Sequence, residues 1–212
     1  MGKLFSLDNP FWRSLNTVAD MLILNLLYVA CCLPVITVGA ATSALYAVSM
    51  KLASKDEDIY VTRSFFRAFV SNFKQATLIW LIFLGIGAFL LYDLYLVNVL
   101  YNLQWLEVVL LILCGYYLLC ISYVFVLQSR YENTFGKTIR NSLLLAIANI
   151  LPWSLLIGGI NVLPLLVMWF QPGNMPVLIP VMLVGGYAAS AYINSKIFNR
   201  VFARYHTKEE EV

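Results

Sequence analysis

The stretch YVACCLPVITVGAATSALYAV, residues 28–48, decides how this chain folds. It lies within Met21–Met50, a run of 30 residues without a charged side chain. One helix needs only about 20 apolar residues to cross the hydrocarbon of a bilayer. Pro34 stands near the middle of the run, and proline cannot continue a helix because it lacks the backbone N–H. The run therefore predicts two helices that meet at a corner.

Small and hydroxyl-bearing residues around Pro34 suit such a corner. Thr37 is placed to cap the second helix by accepting a backbone N–H, and Gly39 permits close helix packing. Thr42 offers a hydroxyl to backbone groups that lack a helical partner, which inside a membrane must be satisfied by protein or water. We therefore predict that Pro34, Thr37, Gly39 and Thr42 form the motif of this corner.

The composition is that of a membrane protein. Of the 212 residues, 61% are hydrophobic and 12% are charged, whereas soluble domains have about 25% charged residues. Three further uncharged runs are long enough to contain a membrane span: Gln75–Tyr92, Val108–Ser129 and Asn141–Ser195. These runs predict an all-α, polytopic helical protein in contact with the lipid bilayer.

The runs predict about six membrane-embedded helices in three hairpins, in a single domain. Their approximate ranges are 11–33, 35–53, 75–97, 105–128, 141–170 and 177–198. All 14 Lys and Arg residues then lie on the side that holds both termini. Because short loops rich in Lys and Arg are cytoplasmic, we expect a cell-membrane protein with both termini in the cytoplasm. Segment 35–53 is either a full span or a shallower re-entrant helix.

Residues 59–74 predict an amphipathic helix on the cytoplasmic side. Phenylalanines recur there at helical spacing, while Arg63, Arg67 and Lys74 lie largely on another face. Such a helix lies on an anionic membrane surface, with the three basic residues as contacts. The alternative is a connector whose phenylalanines pack on the bundle. Basic residues in short clusters between apolar runs are typical of membrane anchors, and no nucleic-acid partner is expected.

Two polar residues occur in the first predicted helix, where they are costly. Asp20 at the middle of a membrane would cost about 2.5–3.5 kcal/mol, and Asn25 lies deeper along the same helix. One interpretation is a proton- or cation-linked site. The other, which we favour, is a structural polar clamp between helices.

No arrangement of residues predicts catalysis. The sequence lacks a serine elbow, a nucleotide-binding glycine loop and a zinc-protease motif. The only histidine, His206, is on the charged tail, and the four cysteines fall within apolar runs, where packing is the expected role. We expect neither an enzyme nor a metal or other cofactor.

The N-terminal third resembles the YesL family of bacterial membrane proteins. The resemblance lies in DNPFWRSLNTVADMLILNLLYVACCLPVITVGAATSALYAV and the later NFKQA, and covers about the first 80 residues. The matching features are Asn9-Pro10, Asp20, Asn25-Leu26-Leu27, Leu33-Pro34, Thr37-Val38-Gly39 and Thr42 through Tyr46. The resemblance implies a protein encoded near carbohydrate-uptake transporters, in a family without an established activity.

Two functions follow as hypotheses. The first is a non-enzymatic accessory component of carbohydrate uptake, in contact with subunits of a carbohydrate ABC transporter. The second is a small-solute or ion-coupled transporter or channel with Asp20 in its pathway, because transporters often use broken helices near the membrane midplane.

Overall fold

The computed structural model describes residues 10–54, 59–101, 103–131, 133–148 and 155–209. Its α-helices are α1 (Pro10–Cys32), α2 (Val38–Ser54), α3 (Val61–Leu96), α4 (Gln104–Arg130), α5 (Phe135–Ala148), α6 (Leu155–Phe170), α7 (Met175–Val181) and α8 (Tyr187–Glu209). Within these ranges there is no β-strand, as the all-α prediction requires.

Five helical stretches are long and apolar enough to cross a membrane. They are Leu15–Cys32, Val35–Ser54, Val61–Leu100, Gln104–Arg130 and Met175–Phe202. Most large apolar side chains on these stretches other than Val35–Ser54 are partly or fully exposed, as they are in helices that contact lipid. The prediction of a helical membrane protein is confirmed at this level.

The predicted corner forms between α1 and α2. Pro34 has an extended backbone conformation (φ −77°, ψ 115°), and a 3-10 turn over Val35–Thr37 leads directly into α2. The Thr37 hydroxyl lies 2.6 Å from the Cys31 carbonyl and 2.7 Å from the Pro34 carbonyl, and it donates to them. Our prediction that Thr37 caps α2 as an acceptor is therefore wrong. The hydroxyl satisfies the Cys31 carbonyl at the end of α1, where carbonyls lack a partner within the helix.

Helix α2 lies at the centre of the bundle. Ten of the 20 residues in Val35–Ser54 are buried, against 11% of those in Leu15–Cys32. It packs against α1, α3, α4 and α8. Its buried side chains are mostly small, and small residues let neighbouring helix backbones approach closely inside a membrane. Helix α2 is therefore a core helix, while the helices around it face outward.

Helix α3 continues through the predicted boundary between residues 74 and 75. Its buried residues are Val61, Phe65, Ala76, Ile79 and Phe83. This spacing keeps one stripe in helical phase along the side of α3 that packs on α2. A separate surface helix over 59–74 is therefore wrong, since nothing in the sequence breaks the helix there. The alternative interpretation was a connector whose phenylalanines pack on the bundle. It agrees better with the structure at Phe65, which packs in the core.

The α1–α2 hairpin is much shorter than α3. The Trp80 indole N–H donates to the Val35 carbonyl at the corner, at 2.8 Å. Trp80 is the twentieth of the 36 residues in α3, and at 1.5 Å per residue about 24 Å of that helix extends beyond it. The corner between α1 and α2 therefore lies beside the middle of α3.

Segment 141–170, which we predicted as one helix, is not straight. The Leu143 carbonyl accepts a hydrogen bond from the Tyr116 hydroxyl, and Gly158 packs against Leu119. Residues 143 and 158 would lie about 22 Å apart along one straight helix, yet they contact the same turn of α4. The structure describes α5 and α6 instead, and Pro152, a residue that interrupts helices, belongs to residues 149–154, outside the described ranges.

Candidate functional site

The inner cavity lies between α1, α2, α3, α4, α6 and α8, is partly open, and has a volume of about 340 Å³. Five aromatic side chains contribute to its wall: Tyr28, Tyr46, Trp80, Phe125 and Tyr187. The other described lining residues are aliphatic, methionine, proline, hydroxyl or amide, and none of the described lining residues is charged. The cavity is therefore a mainly apolar, electrically neutral chamber.

A chain of uncharged hydrogen bonds joins α4, α6, α8 and α2 at one side of the inner cavity. The Asn161 amide donates to the Ser122 hydroxyl at 3.2 Å, and the Asn194 amide donates to the Asn161 carbonyl oxygen at 2.9 Å. Asn194 also contacts the Tyr46 hydroxyl at 3.5 Å. The Asn194 Oδ1 atom is buried and has no hydrogen-bond partner among the described residues. This side of the cavity offers neutral donors and acceptors.

Two residues of the predicted corner motif form part of the cavity or its support. Thr42 lines the cavity, donates to the Val38 carbonyl at 2.7 Å and lies 3.5 Å from the Tyr28 hydroxyl. Gly39 holds α2 against α3, because a Cβ there would lie only 2.5 Å from the Ala76 carbonyl oxygen. Pro34 and Thr37 shape the corner itself and line neither this cavity nor the one beside it.

Asn25 is fully buried and braces an irregular part of the helix formed by α7 and α8. A π-helical turn over Met182–Gly186 joins α7 to α8. The Asn25 amide donates to the Met182 carbonyl at 3.1 Å and to the Leu183 carbonyl at 2.7 Å, while its oxygen accepts from the Ala188 N–H at 2.9 Å. Leu183 and Ala188 are five residues apart, the spacing of a π-helical hydrogen bond. Asn25 thus satisfies backbone groups at the turn, as a structural clamp would.

The other residues singled out in the sequence lie away from the cavity. Asp20 is half-buried on α1 and lines neither of the two cavities described. Arg63, Arg67 and Lys74 are exposed along the first half of α3. Their contact with a membrane surface stays a prediction.

The sequence analysis missed the polar residues that line the cavity or bond to its lining. Ser122, Asn161 and Asn194 come from three helices, and none of them belongs to a motif. One signal was available: Asn161 and Asn194 stand in the uncharged run Asn141–Ser195, where amides are costly unless they find partners.

Part of the chain that forms this site matches a protein family. Residues 21–94 match one family, described as "Protein of unknown function, DUF624". No curated protein and no solved structure gives a match. The matched third of the chain contains α2 and most of α3, and thus the wall of the cavity that holds Thr42, Tyr46 and Trp80.

Proposed function

We propose that this protein binds a small uncharged molecule in its inner cavity, within the membrane, and does not convert it chemically. The observation that carries the proposal is a neutral cavity of about 340 Å³ with a few convergent amide and hydroxyl groups. This volume lies in the range of small-molecule sites, about 300–1,000 Å³, which are mainly apolar with a few polar groups.

The charge of the ligand follows from the lining. An ion that entered this cavity from water would lose its hydration and would find no opposite charge. Its transfer therefore costs far more free energy than the transfer of a neutral polar group. A neutral ligand can exchange hydrogen bonds with Asn161, Ser122 or Ser190. If the protein transports a solute, the polar site would be at Asn161 rather than at Asp20.

The test compares matched ligands with and without charge. The uncharged ligands are decanol and glucose, and their charged partners are decanoate and glucose 6-phosphate. In nanodiscs, we expect at least one of the two uncharged ligands to raise the melting temperature of the protein. Neither charged partner should do so. Ser190→Phe should abolish that rise by filling the cavity, while Ala189→Phe, on the exposed neighbouring position, should preserve it. Equal stabilisation by the charged partners, or a rise that survives Ser190→Phe, would refute the proposal.

A second candidate is the accessory component of carbohydrate uptake. It rests on the resemblance of the N-terminal third to the YesL family. Exposed apolar side chains on the halves of α3 and α4 beyond the hairpin, such as Phe89 and Ile112, offer a surface to helices of a transporter. Purification of the tagged protein in mild detergent should then recover carbohydrate ABC transporter subunits in near-stoichiometric amounts. Recovery of the folded protein alone would argue against this role.

We further propose that the basic end of the bundle, with both termini, faces the cytoplasm of a bacterial cell. At this end the Arg130 guanidinium donates to Asn199 at 2.9 Å, which places the end of α4 beside the C-terminal half of α8. Asn174 precedes α7, and the whole of α7, the π-helical turn and the first half of α8 separate it from Asn199. In whole cells, an impermeant thiol reagent should label a cysteine at Asn174 but not one at Asn133. The opposite pattern would invert the orientation.

A further inference from the structure

We infer that the ligand of the inner cavity is a mainly apolar, uncharged molecule with a hydroxyl or similar polar group, and that it enters from the hydrocarbon of the bilayer past Tyr28 and Tyr187. This inference rests on the proposed function and adds the chemical class of the ligand and its route.

A second cavity lies beside the first, at the α1–α2 corner. This outer cavity is an open recess of about 360 Å³ between the end of α1 and the region where the π-helical turn meets α8. It shares Tyr28, Val38 and Tyr187 with the inner cavity. The same three side chains therefore form a wall with one cavity on either side.

The outer cavity lies where the protein presents apolar side chains to its surroundings. Leu33 lines it and is 79% exposed, and the neighbouring Val35 and Ile36 are 62% and 57% exposed. The hydrogen bond from Trp80 places this corner halfway along α3, whose exposed surface beyond that point is also apolar. A corner of this composition at this depth is surrounded by lipid chains in a membrane.

The partition between the cavities is aromatic. The ring centroids of Tyr28 and Tyr187 lie 5.4 Å apart. The Tyr28 hydroxyl is 3.5 Å from the Thr42 hydroxyl, well beyond the 2.7–2.8 Å that is usual between two oxygen atoms. Rotation of Tyr28 breaks its hydrogen bonds with the Thr42 hydroxyl and with the Cys32 side chain and would join the two cavities.

The lining selects against a sugar as well as against an ion on this route. Among the described residues that line the outer cavity, only Tyr28 and Tyr187 carry a hydroxyl, and the others are Val, Leu and Cys. A polyol would leave most of its hydroxyl groups without partners there, at a cost of about 1–3 kcal/mol each. An alkyl or isoprenoid chain has no such cost, and its single polar group would reach Asn161 or Ser122 in the inner cavity.

Photoaffinity labelling of the whole protein in nanodiscs tests this inference. The probes are decanol with a diazirine in its chain and a water-soluble glucoside with the same diazirine, each mapped by peptide mass spectrometry. We expect the alcohol to label inner-cavity residues such as Met168. Ser190→Phe should remove that label, whereas Ala189→Phe should not.

A second pair of variants tests the route. Val29→Trp should block the outer cavity and lower inner labelling by the alcohol several-fold, while Leu26→Trp, exposed on the same helix, should leave it unchanged. Inner labelling by the glucoside alone would overturn this inference but support the proposed function. Equal inner labelling by the alcohol in Val29→Trp would overturn the route, and no inner labelling by either probe would overturn both proposals.

Discussion

Replacement of Gly39 by alanine is expected to lower the free energy of unfolding by about 1–3 kcal/mol, the usual cost of an overpacked core. The added Cβ would lie 2.5 Å from the Ala76 carbonyl oxygen and 2.6 Å from the Trp80 Cβ. The positions of both atoms are fixed by the backbone of α3, so no side-chain rotation relieves the contact. Helices α2 and α3 would have to separate, and the wall of the inner cavity formed by Trp80 would move with them.

Gly85→Ala on α3 is the matched control. A Cβ at Gly85 meets no atom within 4 Å, and alanine favours a helix over glycine by about 1 kcal/mol. Unfolding in mixed micelles with increasing SDS would give both free energies. Gly39→Ala with wild-type stability would contradict the close contact of α2 and α3. Gly39→Leu should prevent the folded bundle from forming, since it adds three more carbon atoms at the same point.

Replacement of Asn25 by leucine is expected to lower the free energy of unfolding by about 2–4 kcal/mol. Leucine has a similar size but makes none of the three hydrogen bonds of Asn25. A buried polar group left without a partner costs about 1–3 kcal/mol, while measured interhelical hydrogen bonds in membranes average about 0.6 kcal/mol. The Leu183 carbonyl and the Ala188 N–H would both lose their contact with the side chain.

Asn16→Leu is the control for this change, because Asn16 is exposed on the same helix. The same SDS titration should show little change for this variant. Hydrogen exchange would add a local readout: faster exchange of the amides around Met182–Gly186 in Asn25→Leu is the expected result. An unchanged exchange rate together with unchanged stability would show that Asn25 is not the brace of the π-helical turn.

These two residues support opposite walls of the inner cavity. Gly39 positions α3 and Trp80, while Asn25 holds the turn that carries Met182 and precedes Tyr187. A loss of stability in either variant is therefore expected to weaken ligand binding indirectly. For this reason, Ser190→Phe and its neighbour Ala189→Phe are the variants that test binding itself.

Local sequence was sufficient for the class of protein and for its first corner. The uncharged run Met21–Met50 required a membrane or a large core, and Pro34 required a break in the helix. Close packing at Gly39 could be predicted from the sequence, because a glycine within an apolar helix lets a neighbouring helix approach closely. These inferences depend only on residues next to one another in the chain.

Tertiary packing decided the features that matter for the proposed function. Asn161 and Asn194 are 33 residues apart, and Ser122 precedes Asn161 by 39, so no local pattern marks them as one hydrogen-bonded chain. The continuity of α3 across Lys74 depended on α2, which buries one stripe on both sides of that point. Hydropathy reports how apolar a segment is. It does not report which neighbour covers each face, and that neighbour determines whether a polar side chain becomes a clamp, as at Asn25, or part of a cavity, as at Asn161.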